Sequence, residues 1–108
     1  MFKLIEISGD ELRLDESGVS AMVNRACNRT GLAVEGITVF ADKIVLICSE
    51  KTFPGDLEYR FTALGEVSAA EISAELRSRY DNNFRTAGAF HLADGYWTLT
   101  EKKSSAEY

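Results

Sequence analysis

The sequence predicts an α+β domain in which a strand–helix–strand–strand (βαββ) unit occurs twice, giving mainly antiparallel sheet and two helices related by pseudo-symmetry. Three observations support this prediction: two apolar stripes with helical period, two hairpin segments around aspartate turns, and a constant spacing between the halves. Gly36 and Gly88 lie 52 residues apart, as do Asp42 and Asp94. The alternative arrangement is a ferredoxin-like single sandwich.

Length and composition limit the number of domains, the kinds of partner and the cellular compartment. With 108 residues, of which 45% are hydrophobic, residues 1–108 are predicted to form a single compact domain. The net charge of −5 argues against nucleic acid or an anionic membrane as the partner. No stretch approaches the roughly 18–20 apolar residues of a membrane helix, and the first residues lack a secretory pattern. We therefore expect a cytoplasmic protein.

The two cysteines, Cys27 and Cys48, have neither CxxC spacing nor a histidine nearby. This pattern indicates buried free thiols rather than a metal site. The sequence also contains no GxGxxG, P-loop, GxSxG or HExxH motif. We therefore predict no metal, no cofactor and no catalytic residue.

The first repeat begins with a predicted strand at residues 2–7, which are rich in isoleucine and aromatic character. A polar connector at residues 8–15 follows. The next segment is a helix that starts at Asp15 or Ser17 and ends before Gly31, where glycine commonly stops a helix. Its apolar stripe has helical spacing and comprises Val19, Met22, Val23, Ala26 and Cys27. Residues 34–40 and 44–48 then form a hairpin around Asp42-Lys43.

The second repeat follows Pro54-Gly55, a turn that marks the junction between the halves. Residues 57–64 alternate apolar and polar side chains, as a half-buried strand does. Ser68 and Glu71 form a capping box that starts a second helix. The predicted core face of this helix recurs every fourth residue, at Ile72, Leu76 and Tyr80, with Phe84 continuing the series.

The closing hairpin has the strongest turn signal of the chain, Asp94-Gly95, because a type I′ turn needs the positive φ that these residues tolerate. Folding there pairs Leu92 with Trp97 on an apolar face. The core aromatic residues are then Tyr59, Phe61, Phe90 and Trp97. The opposite face is predicted to meet water and carries Ala89, His91, Tyr96, Thr98 and Thr100.

The repeats are predicted to span residues 1–51 and 57–103. Asn82-Asn83 ends the second helix, and residues 104–108 form a polar, frayed tail. Apolar positions of the two hairpins correspond at the same spacing, with Phe40, Val45 and Ile47 matching Leu92, Trp97 and Leu99.

Each half resembles the small βαββ domains of unknown function found in bacteria. Their pattern is a strand with aromatic and charged residues, a capped helix, a Gly-Trp-Glu-Leu segment, a strand, a Gly-rich turn and a basic-ended strand. The second half follows it at residues 58–61, 68–83, 84–88, 94–95 and 96–103. The tryptophan is replaced by Phe84, and by Leu32 in the first half. The resemblance implies a tandem duplication of this fold and no chemistry.

A patch of apolar residues distinguishes the first hairpin from the second. On the face predicted to point away from the helix, the first hairpin carries Ile37, Val39, Ile44, Leu46 and Cys48. Monomers rarely expose a patch of several hundred Å², so we expect a cover. The cover is either the other half or a second copy, with a homodimer favoured. One six-stranded sheet, with the patch as a partner site, is a further alternative.

These features favour a non-enzymatic protein-interaction or self-assembly module. The alternative is a small-molecule-binding protein or minor enzyme, with a pocket near His91, Tyr96 and Arg85. His91 is the only histidine, so the usual ligand sets of catalytic zinc are lacking.

Overall fold

The chain forms two three-stranded antiparallel sheets, one from each half, together with helices. A computed structural model describes residues 2–52, 55–81 and 84–103. The predicted α+β class with two similar halves is confirmed, whereas one six-stranded sheet and a single ferredoxin-like sandwich are not what the chain forms. Pro54, Asn82-Asn83 and the tail at 104–108 lie outside the described residues.

The first half contains β1 (Phe2–Ser8), α1 (Gly9–Leu14), α2 (Glu16–Thr30), β2 (Leu32–Phe40) and β3 (Lys43–Glu50). Its strands form sheet A in the order β1-β3-β2. The predicted connector is wrong, because Ser8 accepts a hydrogen bond from the Glu11 N–H at 3.1 Å and starts α1. Asp15 caps α2 by accepting from the Gly18 N–H, and Gly31 ends it with φ 68°.

The second half contains β4 (Leu57–Gly65), α3 (Ala69–Asp81), β5 (Arg85–Leu92) and β6 (Gly95–Lys103). Its strands form sheet B in the order β4-β6-β5. The predicted cap of α3 is confirmed, since Ser68 accepts from the Glu71 N–H at 3.2 Å. Its predicted core face is wrong in part: Ile72 and Leu76 are only half-buried, and Tyr80 is 64% exposed.

Both hairpins turn one residue earlier than predicted. Phe40 pairs with Lys43 around Ala41-Asp42, and Leu92 pairs with Gly95. Trp97 consequently lies opposite Phe90 rather than Leu92. Because the partner moves by two positions, the side chains predicted to share a face still share one.

The two halves resemble each other in the irregularities of their sheets as well as in strand order. A register shift occurs between Val34 and Gly36 in β2, and another between Thr86 and Gly88 in β5. These positions correspond at the spacing of 52. The structure therefore contains two similar βαββ units.

The halves share one hydrophobic core, formed by the inner faces of both sheets and by α2. The sheets approach at β2 and β5, where a Cβ atom on Gly88 would lie only 2.6 Å from Ile37 Cδ1. The Val34 N–H of β2 donates to the Tyr59 hydroxyl of β4 at 2.8 Å. Burial raises the pKa of Tyr59, so this hydroxyl stays protonated. The predicted core aromatics Tyr59, Phe61, Phe90 and Trp97 are all buried.

Helix α2 also lies along the free edge of β4. Asn24 accepts from the Tyr59 N–H, and Asn28 both accepts from the Leu57 N–H and donates to the Leu57 carbonyl, each at 2.9 Å. The Phe61 N–H donates to Ser20 Oγ at 3.2 Å. Side chains spaced one helical turn apart thus satisfy the backbone of a strand edge, which would otherwise need another strand.

The two sheets turn opposite faces to the shared core. In sheet A the inner face carries Ile44, Leu46 and Cys48, whose counterparts in sheet B are Tyr96, Thr98 and Thr100. In sheet B those counterparts lie on the outer face, and the core side carries Trp97 and Leu99 instead. Equivalent faces of the two repeats therefore have different environments.

The prediction that the outer face of sheet B meets water is wrong in part. Ala89 and His91 are exposed, but Thr98 and Thr100 are fully buried. We attribute this burial to α3, which contacts β5.

None of the described helices is long and apolar enough to cross a membrane.

Candidate functional site

The five residues predicted to form an interface share one face of sheet A, but it is the inner face. Ile44, Leu46 and Cys48 are fully buried, Ile37 packs against the core, and Val39 is 39% exposed at the end of its strand. The alternation of side chains along a strand sequence shows which residues share a face. It does not show on which face α2 packs. This face is covered within the chain by α2 of the same half together with core residues of the second half.

The opposite side of sheet A, here called the outer face, is an exposed apolar surface. Phe2, Leu4 and Phe40 on this face are 74%, 63% and 54% exposed. They surround Val45 and Ile47 of the central strand. By the strand register, the outer face includes Phe2, Leu4, Glu6, Thr38, Phe40, Lys43, Val45 and Ile47. Six of these line a shallow depression of about 490 Å³: Leu4, Glu6, Thr38, Phe40, Val45 and Ile47.

The charged groups of the outer face neutralise each other. Lys43 Nζ donates to Glu6 Oε1 at 2.7 Å. This hydrogen bond and the ammonium charge lower the pKa of Glu6. The pair is exposed, so it contributes little to stability, but it gives the face no net charge. The outer face is therefore largely apolar, and its Lys43 and Glu6 charges are paired with each other.

The predicted ligand residues do not form one site. His91 Nε2 lies 2.6 Å from Glu66 Oε1, and its ring packs edge-on against Tyr96 with centroids 4.7 Å apart. Arg85 lies at the other end of β5, 3.5 Å from Glu101 Oε1. Arg85 and His91 lie six positions apart on the extended strand, a separation of about 20 Å. The structure therefore unites His91 and Tyr96 and leaves Arg85 elsewhere, and ligand binding stays a prediction.

The cysteines are buried and free, as predicted. Cys27 on α2 contacts Cys48 on β3, and this contact together with burial raises the pKa of Cys27. A protonated, inaccessible thiol is a poor nucleophile. Cys27 therefore serves the packing of α2 on sheet A.

Arg13 forms a polar junction that sequence reasoning missed. Its guanidinium contacts Asp42 in the first hairpin turn and bonds Asp94 in the second at 2.9 Å. Asp42 also accepts from the Ala93 N–H at 3.1 Å, and Asp94 from the Trp97 indole N–H. Arg13 and Ala93 lower the pKa of Asp42, and Arg13 and the indole outweigh burial to lower the pKa of Asp94. The spacing of 52 between these aspartates is the signal that could have indicated the junction.

The arrangement defines a small α+β protein with two similar halves, a polar junction between its hairpin turns and one exposed apolar sheet face. No family model, curated protein or solved structure matches the chain. The likeness to bacterial βαββ domains thus stays a resemblance. Among the described residues, no group of three or more histidine, cysteine or acidic side chains could hold a metal ion.

Proposed function

We propose that the protein is a non-enzymatic protein-interaction module whose working surface is the outer face of sheet A. The supporting observation is that Phe2, Leu4 and Phe40 stand exposed on a single sheet face around an apolar centre. Large apolar groups clustered on one face mark an interaction site more often than scattered ones do.

The energetics favour a reversible interaction. Burying one fully exposed side chain of this kind contributes about 1.5–3 kcal/mol. Because Phe2, Leu4 and Phe40 are 74%, 63% and 54% exposed, burying what remains of all three contributes roughly 3–6 kcal/mol. Association costs at least about 4 kcal/mol in lost rigid-body freedom. The two nearly balance, which supports a complex that forms and dissociates, provided the partner adds contacts around the rim.

A cytoplasmic, bacterial setting belongs to the same proposal. It is supported by the two unpaired cysteines, because free thiols persist in reducing compartments, and by the resemblance to bacterial βαββ domains.

The proposal is tested by differential capture from a lysate of the organism that encodes the protein. Leu4→Glu places a charge on the outer face, and Leu14→Glu makes the same change at an exposed leucine of α1. We expect proteins retained by the wild type and by Leu14→Glu to be lost from Leu4→Glu. Identical capture by all three proteins would contradict the proposal.

A further inference from the structure

We propose that the partner on the outer face of sheet A is a second copy of this chain, packed outer face against outer face in a two-fold dimer. This inference rests on the proposed function and names the occupant of the same surface. It is argued from the duplication, from the chemistry of the surfaces available, and from the size of the face.

The duplication shows what the equivalent surface of the other repeat does. Phe40, Val45 and Ile47 on the outer face of sheet A correspond to Leu92, Trp97 and Leu99 in sheet B. Those three counterparts are buried, and they pack in the core that the first repeat of this same chain shares. The apolar face of sheet B is therefore already covered by the first βαββ unit of the same chain. The outer face of sheet A has the same apolar pattern, but among residues 2–52, 55–81 and 84–103 nothing covers it in this way, and Phe40 is 54% exposed.

The edge strands extend this correspondence. Leu4 pairs with Ile47 in sheet A as Phe61 pairs with Leu99 in sheet B. Leu4 is largely exposed, while Phe61 is buried. The exposed position is therefore the counterpart of a core position, which explains why a large aliphatic side chain occupies it.

The outer face of a second copy of the chain is an apolar surface that matches the outer face of the first. The exposed positions of α3 are largely polar, including Glu71, Ser73 and Arg77, so head-to-tail packing of α3 onto sheet A would bury charges against apolar groups. Two outer faces instead place apolar groups together, as in a two-sheet sandwich. Their charges, Glu6 and Lys43, are already paired within each copy. A two-fold axis makes one self-complementary patch sufficient.

The area predicts a weak dimer. Strand β1 has 7 residues, and three such strands cover roughly 14 by 23 Å, or about 330 Å² in projection. A standard interface buries about 800 Å² on each partner. We therefore expect a concentration-dependent equilibrium, and since each copy carries a net charge of −5, added salt should strengthen it by screening repulsion.

The test is sedimentation equilibrium of the full chain between about 10 μM and about 1 mM, the range in which weak complexes of this kind dissociate. The weight-average mass should rise from 12.0 kDa towards twice that value. Leu4→Glu should raise the dissociation constant at least about tenfold, because a two-fold axis brings two carboxylates into an apolar contact. Leu14→Glu, which makes the same charge change off the face, should keep it within about twofold.

If Leu4→Glu does not fold, Thr38→Arg is a second variant on the outer face of sheet A. It should weaken the dimer in the same way. A wild type that stays at monomer mass at about 1 mM, a mass well beyond the dimer, or equal effects of Leu4→Glu and Leu14→Glu would overturn the inference. If the protein is a monomer but Leu4→Glu still loses captured proteins, the dimer is wrong and the proposed interaction surface stands. A monomer whose capture ignores Leu4 would overturn the proposed function as well.

Discussion

Asn28 is the side chain whose loss should open the edge of β4. Its amide accepts from the Leu57 N–H and donates to the Leu57 carbonyl, both at 2.9 Å. Asn28→Ala removes both hydrogen bonds and leaves the backbone of a part-buried strand edge facing the helix. We expect the free energy of unfolding to fall.

The expected loss follows from the two bonds and from the helix. Each hydrogen bond contributes about 0.5–1.5 kcal/mol net, so their removal costs about 1–3 kcal/mol. Alanine is a better helix former than asparagine by up to about 0.7 kcal/mol, which offsets part of this. The net expectation is a loss of about 1–2 kcal/mol, or roughly 4–10 °C in melting temperature for a domain of this size.

Urea unfolding followed by tryptophan fluorescence measures this loss directly. Trp97 is the only tryptophan and is buried in the core, so its emission reports global unfolding. Arg25→Ala, at an exposed position of the same helix, is the matched control and should leave the midpoint nearly unchanged. If Asn28→Ala lies within about 0.3 kcal/mol of that control, the side chain does not hold the strand edge and the reasoning is refuted.

Three further predictions follow from the core, the sheet contact and the polar junction. Leu46→Ala should lower the free energy of unfolding by about 2–5 kcal/mol without changing the oligomeric state of the folded protein; a changed sedimentation mass at unchanged stability would contradict its burial. Gly88→Ala should cost about 1–3 kcal/mol in urea unfolding, because the new Cβ would lie 2.6 Å from Ile37 Cδ1; an unchanged midpoint would contradict this close approach. The pKa of Asp42 is lowered by Arg13, so its stabilising effect is full above the ordinary aspartate value of about 3.9 and is lost as the pH falls through the lowered pKa. Urea midpoints measured between pH 7 and pH 3 should therefore fall less steeply for Arg13→Met than for the wild type, and equal slopes would count against the ion pair.

Local pattern predicted the hairpins well, because alternation determines which side chains lie together. Trp97 and Leu99 lie on the predicted face even though the turn occurs one residue early. The first turn was predicted at Asp42-Lys43, whereas the structure turns at Ala41-Asp42, with Ala41 at φ 51°. The second was predicted at Asp94-Gly95, because turn propensity favours these residues, whereas Leu92 pairs with Gly95. A tertiary contact from Arg13 to Asp42 is invisible to a rule based on neighbouring residues.

Face assignment could not be predicted from alternation alone. Alternation groups Ile44, Leu46 and Cys48, but which face meets α2 depends on how the chain crosses the sheet. The spacing of Ser20, Asn24 and Asn28 places them on one stripe of α2, and only the structure shows that this stripe contacts β4.

The helix that lies along β4 has a consequence for how the two repeats depend on each other. In stacked repeat proteins each unit contacts only its neighbours and the array can lose units in turn. Here the first repeat supplies backbone partners for the first strand of the second repeat, so that strand is completed by residues far away in sequence. An isolated second repeat would present an unpaired strand edge, which invites aggregation. Because the second half depends on α2 for the edge of its first strand, we expect the protein to unfold in one transition rather than in two.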